Sequence, residues 1–143
     1  MLRDIQKSLA FTIISRKSKD RILIMKIYVG HSSSMNYRED LYKPLKQSKL
    51  NEEHELVFPH EETEEKFNSK QLLEEECDLF IAEVSNPSTG LGIELGWANL
   101  LDIKTICIHK QGKRPSSSIS EVTEIIEPYE GKDQLISTIQ NLI

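Results

Sequence analysis

Hydrophobic residues fall into short runs along this chain, and the spacing within each run indicates a strand or a helix. Five runs are β-branched, aromatic or continuously apolar over a few residues, which is typical of strands. The third run is apolar at nearly every position, which indicates a strand covered on both faces. The predicted strands are KIYVG at 26–30, HELVFPH at 54–60, DLFIAEV at 78–84, KTICIH at 104–109 and, as a short last strand, TEII at 123–126.

Between these strands, apolar residues recur at helical spacing among polar ones. In the first such segment Pro44 is an irregularity, and we expect it to bend or shorten the helix. The second segment is acidic and has one exposed face. The predicted helices cover 37–46, 61–77, 91–101 and 133–143.

This alternation of strands and helices predicts an α/β fold. We expect a doubly wound, mainly parallel sheet of about five strands with helices on both faces, as in Rossmann and flavodoxin-like proteins. In such sheets the ligand cleft lies beyond the carboxyl ends of the strands. The chain has 143 residues, which fits one domain.

The amino-terminal segment differs in charge from the rest of the chain. Residues 1–24 carry a net charge of +4, whereas the remainder carries −9. One interpretation is a targeting peptide, but the apolar core LAFTII is short and no clear cleavage site follows it. The interpretation we favour is a basic extension that the fold does not need, followed by one domain over residues 25–143.

Composition excludes several classes of partner. The net charge of −5 argues against a nucleic-acid polymer, because binding a phosphate backbone requires clustered Lys and Arg. No apolar run approaches the roughly 20 residues of a membrane helix. Cys77 and Cys107 lie in apolar stretches without metal-ligand spacing, so we expect free thiols in a reducing cytoplasm and no metal or other cofactor.

The stretch NPSTGLGIELGWA, residues 86–98, links the third strand to a helix and so occupies the carboxyl edge of the predicted sheet. Gly90 and Gly92 let the backbone approach a ligand closely. Ser88 or Thr89 can cap the helix and offer a hydroxyl. Free amides at the helix start, together with the helix dipole, attract an anion such as a phosphate.

Glu94 lies in this helix, and two interpretations of it stay open. An ionised carboxylate beside an anion site can act as a nucleophile toward an electrophilic sugar carbon. We expect the field at the helix start to help keep Glu94 ionised. Alternatively, the glycines form a tight turn and Glu94 only complements the helix dipole.

The segment AEVSNPSTGLGIELGWA closely resembles the signature of the nucleoside 2-deoxyribosyltransferase family, in particular its branch of 2'-deoxynucleoside 5'-phosphate N-hydrolases. The resemblance covers about residues 25–143. It implies that Glu94 attacks the anomeric carbon of the sugar. It also implies that Ser88 donates a hydrogen bond to a 5'-phosphate, where the transferases of unphosphorylated nucleosides tend to carry aspartate.

The same resemblance assigns further residues in IYVGHSSS and RPSSS. Tyr28 would orient Glu94 or the sugar, and Ser32 would contact phosphate. His31 either donates to the anion or is an ordinary loop residue. A serine of the neighbouring subunit, for which Ser118 is preferred over Ser116 and Ser117, would complete the phosphate site in a homodimer or higher oligomer.

His54, His60 and His109 show no ligand spacing and are interpreted as surface or strand-end residues.

One position departs from the family pattern. Eight residues before Asp78 the family usually carries an aspartate that assists the nucleophile and the leaving base, and this chain has Lys70. A lysine cannot accept hydrogen bonds, although its charge could hold Glu94 ionised or touch a phosphate. Glu74 is an alternative acid, or part of a solvated helix face. The resemblance thus implies a nucleotide N-glycosidase, with a deoxyribosyltransferase or a catalytically impaired nucleotide-binding protein as alternatives.

Overall fold

The structure is a computed structural model that describes residues 23–62 and 67–143. Its strands are β1 (Lys26–His31), β2 (Glu55–Val57), β3 (Leu79–Glu83), β4 (Lys104–Lys110) and β5 (Ile126–Tyr129). All pairs are parallel, in the order β2-β1-β3-β4-β5. The predicted α/β class with a parallel five-stranded sheet is confirmed. β2 is shorter than predicted, and β5 begins three residues later.

The helices follow the strands in alternation. They are α1 (Lys43–Lys46), α2 (Lys49–Glu53), α3 (Ser69–Glu75), α4 (Thr89–Leu100) and α5 (Gly131–Leu142). A π-helical turn, Arg38–Tyr42, precedes α1, and a 3-10 turn, Ser117–Glu121, precedes β5. Pro44 lies in the first turn of α1, where its missing N–H needs no partner, and this explains the short, irregular helix.

The sheet is covered on both faces. Ile27, Val29, Leu79 and Ile81 point toward one core, which α1, α2 and α5 cover, whereas the alternate strand residues point toward α3 and α4. Because side chains alternate along a strand, Tyr28 belongs to the second core and its two neighbours belong to the first. Chain connections after β1 and β3 run to opposite faces, so a crevice opens at the carboxyl ends of these adjacent strands.

A buried carboxylate ties the centre of the sheet to its edge. Glu83, at the end of β3, is 1% exposed and accepts hydrogen bonds from the Ser85 N–H at 2.6 Å, the Ser85 hydroxyl at 3.0 Å and the Tyr129 phenol. The Ser85 hydroxyl accepts in turn from the Lys110 N–H at 2.8 Å. Three donors compensate for the burial of this carboxylate, and they fix the exit of β3 relative to β4 and β5.

Cys77 and Cys107 are both buried, and they form no disulfide. Burial raises the pKa of the Cys107 thiol to about 12. The helices within the described ranges are all too short or too polar to cross a membrane. The predicted basic extension lies outside the described residues except for its last two positions.

Gly30 lies where the backbone of β1 packs tightly against side chains of the second core. A Cβ at this position would stand 2.5 Å from the ring of buried Phe80 and 3.0 Å from Leu91. Gly30→Ala is therefore expected to lower the free energy of unfolding by about 1–3 kcal/mol through overpacking, measured by urea unfolding. Gly96→Ala is the matched control because a Cβ there meets open space, and in a helix it should stabilise by up to about 1 kcal/mol. Equal effects of the two substitutions would contradict the packing argument.

Candidate active site

Tyr28 and Glu94 form a side-chain pair beneath the crevice. The Tyr28 hydroxyl donates a hydrogen bond to Oε2 of Glu94. Tyr28 is 2% exposed in the middle of β1, and Glu94 is half-buried in the second turn of α4. The structure therefore brings together the two residues predicted to be catalytic.

Burial controls the protonation of this pair. It raises the pKa of the Glu94 carboxyl, while hydrogen bonds from Tyr28 and Ser69 and the nearby charge of His60 lower it by less. Burial and the adjacent carboxylate also raise the pKa of the Tyr28 phenol, so that it stays a hydrogen-bond donor. The net shift favours the neutral acid, so burial outweighs any support that the helix start gives to the ionised form. Glu94 lies beyond the first helical turn, where the dipole acts most strongly.

Ser69 and Phe67 complete the surroundings of the pair, and neither was predicted. Ser69 is the first residue of α3, is 8% exposed, and its hydroxyl is within hydrogen-bonding reach of both Tyr28 and Glu94. The Phe67 ring stacks against Tyr28 with centroids 6.2 Å apart. Ser69 directly precedes Lys70, the position at which this chain departs from the family pattern. That adjacency is the feature of the sequence that could have pointed to Ser69.

Lys70 is directed elsewhere. Its ammonium lies 5.8 Å from the centroid of the Trp97 ring, a cation–π geometry, on the exposed side of α3. The possibility that Lys70 holds Glu94 charged is therefore not supported, because Ser69 is the α3 residue that contacts the carboxylate. Glu74, the alternative acid, is exposed.

The loop after β1 is joined to the loop after β3. Ser32, which is 3% exposed, accepts from the Ser34 N–H at 3.2 Å, and the two serine hydroxyls are 2.8 Å apart. The Asn86 amide donates to the Ser34 hydroxyl at 3.3 Å. Ser34 and Asn86, which sequence reasoning did not single out, thus hold together the two loops predicted to bind phosphate.

His31 does not offer a donor to an anion. Its Nδ1–H faces the Ser32 carbonyl oxygen at 3.1 Å, and its Nε2 accepts from the Tyr42 hydroxyl at 2.5 Å. Burial lowers its pKa to about 4, so the ring is neutral. This corrects the predicted anion contact: both ring nitrogens are engaged, and His31 stabilises the base of the loop instead.

The amino-terminal end of α4 differs from the predicted tight turn. Ser88 is the N-cap and accepts from the Leu91 N–H at 3.3 Å, as predicted for a capping serine. Gly90 and Gly92 lie within the helix and have no positive φ. A Cβ at either glycine would meet nothing within 4 Å, so the protein itself does not require glycine there and the space beside the helix stays open.

A cavity of about 390 Å³ separates α4 from the 3-10 turn. Ser88, Gly92 and Ser118 line it together with apolar side chains. Glu94 is about 200° around the helix axis from Gly92 and faces Tyr28 instead. Within one chain, the structure therefore brings Ser88 and Ser118 together on one side of α4 and the Tyr28–Glu94 pair on another.

His60 was interpreted as a strand-end residue, and it does follow β2. Its ring, however, is packed among aromatic side chains, 5.7 Å from the His31 ring and 5.9 Å from the Tyr37 ring. It lines a second cavity of about 390 Å³, which is mainly polar, with Ser33 and Arg38. Among the described residues no group of three or more His, Cys, Asp or Glu is arranged to hold a metal.

Comparison with known proteins gave matches to solved structures only: no protein-family model and no curated sequence matches the chain. The CMP N-glycosidase BcmB of Clostridium botulinum has a TM-score of 0.56 and 20% identity, over 80% of this chain and 98% of that protein. A conserved protein of Enterococcus faecalis has a TM-score of 0.57 and 14% identity, over 85% of this chain and 100% of that one. The chain shares its fold with these two proteins.

Replacing Glu94 should change stability in a pH-dependent way. A carboxyl whose pKa is raised by folding contributes stability below its unfolded pKa and loses that contribution as pH rises through the folded pKa. The free energy of unfolding of Glu94→Gln relative to the parent chain, measured by urea unfolding at each pH, is therefore expected to increase from about pH 4 to about pH 7, by about 1.4 kcal/mol for each pKa unit of displacement. Exposed Glu121→Gln is the control, and a flat difference for Glu94→Gln would contradict the burial argument.

Removing the Ser69 hydroxyl should raise the pKa of Glu94 further, because one hydrogen bond to the ionised carboxylate is lost. The measurement is a carbon-13 NMR titration of labelled glutamate carboxyls in Ser69→Ala. Ser69→Thr keeps a hydroxyl at the same position and should titrate like the parent chain. An unchanged Glu94 titration in Ser69→Ala would show that the contact does not act on the carboxylate.

Proposed function

We propose that this protein is an N-glycosidase that hydrolyses the base–sugar bond of nucleoside 5'-monophosphates, with the 2'-deoxy form as the preferred sugar. The observation that carries the proposal is the Tyr28–Glu94 hydrogen bond, which joins the middle of β1 to the second turn of α4. The carboxylate is partly desolvated and lies in the second turn of α4, the helix that Ser88 caps. The fold shared with a protein described as a CMP N-glycosidase supports the same class of reaction.

Glu94 would attack C1' of the sugar and form a glycosyl ester as the base leaves. Water then attacks C1', the ester bond breaks, and sugar 5-phosphate is released. Desolvation removes the water shell that would otherwise weaken the nucleophile. The Tyr28 phenol holds one carboxylate oxygen, which leaves Oε1 for the sugar.

The phosphate would lie at the amino-terminal end of α4. Ser32, Ser88 and the backbone amides near Gly90 and Gly92 are the proposed donors, and the helix dipole favours the dianion. Ser118 of a second copy would complete the site in a homodimer. Open space beside Gly90 and Gly92 supports close approach of a ligand to this backbone.

A nucleotide-binding protein without turnover is the second candidate. It is favoured by Lys70, which stands where the family carries its assisting aspartate and is turned toward Trp97. Ser69 argues for turnover, because it supplies a hydrogen bond to Glu94 from the neighbouring position. Binding of monophosphates without release of base would identify this second function.

The decisive experiment incubates the protein with a panel of nucleotides and nucleosides and measures freed base by chromatography. We expect release from 5'-monophosphates, and a loss of at least about 10³-fold in Glu94→Gln, because the nucleophile is removed. Glu74→Gln, an exposed carboxylate on α3, should retain full activity.

The same panel separates the alternatives. Base exchange with unphosphorylated donors would identify a deoxyribosyltransferase, and release from ribonucleotides only would overturn the deoxyribose preference. Base release that survives in Glu94→Gln would contradict the assignment of the nucleophile.

A further inference from the structure

Ser32, Ser34 and Asn86 form a row of hydrogen bonds between the loops that follow β1 and β3. Ser32 is buried, Ser34 is exposed and Asn86 is half-buried. The Ser34 N–H donates to the Ser32 hydroxyl oxygen at 3.2 Å, and the two hydroxyl oxygens lie 2.8 Å apart. The Asn86 amide donates to the Ser34 hydroxyl oxygen at 3.3 Å. The protons that these bonds use determine which donors remain for a ligand.

One proton joins the two hydroxyl groups, and burial decides which serine donates it. If Ser34 donated, the Ser32 hydroxyl would be a buried donor with no partner within residues 23–62 and 67–143, which is unfavourable. Ser32 is therefore the donor, and the Ser34 oxygen accepts from both Ser32 and Asn86. The hydroxyl proton of Ser34 and the second amide proton of Asn86 remain available.

Asn86 is held in place by the buried carboxylate of Glu83. The residue between Glu83 and the loop, Ser85, donates to that carboxylate through its backbone N–H at 2.6 Å and through its hydroxyl at 3.0 Å. Asn86 follows Ser85 directly, so its backbone position is fixed from the sheet. The available amide proton of Asn86 therefore belongs to a side chain that is anchored at both ends, by Ser85 in the backbone and by Ser34 at the amide.

Asn86 also lines the cavity of about 390 Å³ beside α4, together with Ser88 and Ser118. None of the described residues that line this cavity carries a charge, so no carboxylate there repels an anion. The Ser88 hydroxyl oxygen accepts from the Leu91 N–H, and no described residue uses the Ser88 hydroxyl proton. The first amides of α4 have no partner within the helix and favour an anion.

We propose that Ser34 and Asn86 bind the 5'-phosphate of the substrate, and that Ser32 acts on it only through Ser34. The inference rests on the function proposed above and deepens it, because the Ser32 proton is already used within the loop. A phosphate dianion presents acceptor oxygens alone, and these match a site of neutral donors. The 5'-hydroxyl of a nucleoside offers one oxygen and needs an acceptor for its own proton, so it uses this site less well.

The test measures binding without turnover, by isothermal titration calorimetry in the Glu94→Gln background. The probes are inorganic phosphate and the four common 2'-deoxynucleoside 5'-monophosphates, each beside its unphosphorylated nucleoside. Ser34→Ala should weaken binding of the phosphorylated probes by about 10-fold or more, the loss expected for one hydrogen bond to a charged group, and leave nucleoside binding unchanged. Asn86→Asp replaces both amide protons by a negative charge, and it should weaken binding of these probes by at least about 100-fold.

Ser33→Ala is the matched control, since Ser33 is exposed in the same loop but lines the other cavity, and it should bind every probe as the background does. Ser34→Thr keeps the hydroxyl and should restore binding. Unchanged affinity of Ser34→Ala for the phosphorylated probes would overturn the proposal. So would an equal loss in Ser33→Ala, an equal loss for the nucleosides, or a background protein that binds the phosphorylated probes no more tightly than the nucleosides.

A second measurement does not depend on whether the variants fold. In an assigned nitrogen-15 NMR spectrum of the parent chain, the side-chain amide of Asn86 should shift when inorganic phosphate is added. The side-chain amide of Asn99, which is exposed on α4, should not shift. An unmoved Asn86 amide would overturn the proposal even if Ser34→Ala and Asn86→Asp unfold.

Failure of the proposed function gives a different result. In that case the parent chain releases no base faster than Glu94→Gln does, whereas binding of the phosphorylated probes still depends on Ser34 and Asn86. If these two residues do not hold the phosphate, Glu94→Gln still abolishes base release, and Ser34→Ala leaves KM for 5'-monophosphates unchanged.

Discussion

The hydrogen bond from the Tyr28 phenol to the Glu94 carboxylate is the contact on which the candidate site depends. It joins β1 to α4 across a core, and each partner alters the protonation of the other. Burial favours the neutral acid, whereas the phenol and Ser69 favour the carboxylate. Burial and these two hydroxyl groups therefore act in opposite directions on the charge of Glu94.

The sheet geometry that produces this contact was accessible from sequence. Apolar periodicity located the first four strands, whereas β5 overlaps its predicted segment only at Ile126. Periodicity could not locate Ser69 or His60, because their importance depends on which side chains meet across different elements. For the same reason His31 looked like a loop donor: its sequence neighbours are polar, but Tyr42, eleven positions later, occupies its free nitrogen.

The observed α4 differs from the predicted helix in two local features. The glycines are helical, and the helix begins two residues earlier than its apolar pattern indicates, because Ser88 caps it. Glu94 is consequently carried around to the Tyr28 side, away from the cavity that Ser88 and Ser118 share. The serine-lined cavity and the Tyr28–Glu94 pair therefore lie on different sides of one helix.

The buried Glu83 carboxylate has a consequence for how the molecule tolerates change. Its partners Ser85 and Tyr129 stand at the beginning of the loop that precedes α4 and at the end of the outermost strand. Loss of the Tyr129 phenol would leave the buried Glu83 side chain short of one donor, four residues before Pro87. Substitution along the outer edge of the sheet is therefore constrained by Glu83, whose hydrogen bonds fix the exit of β3 toward the loop before α4.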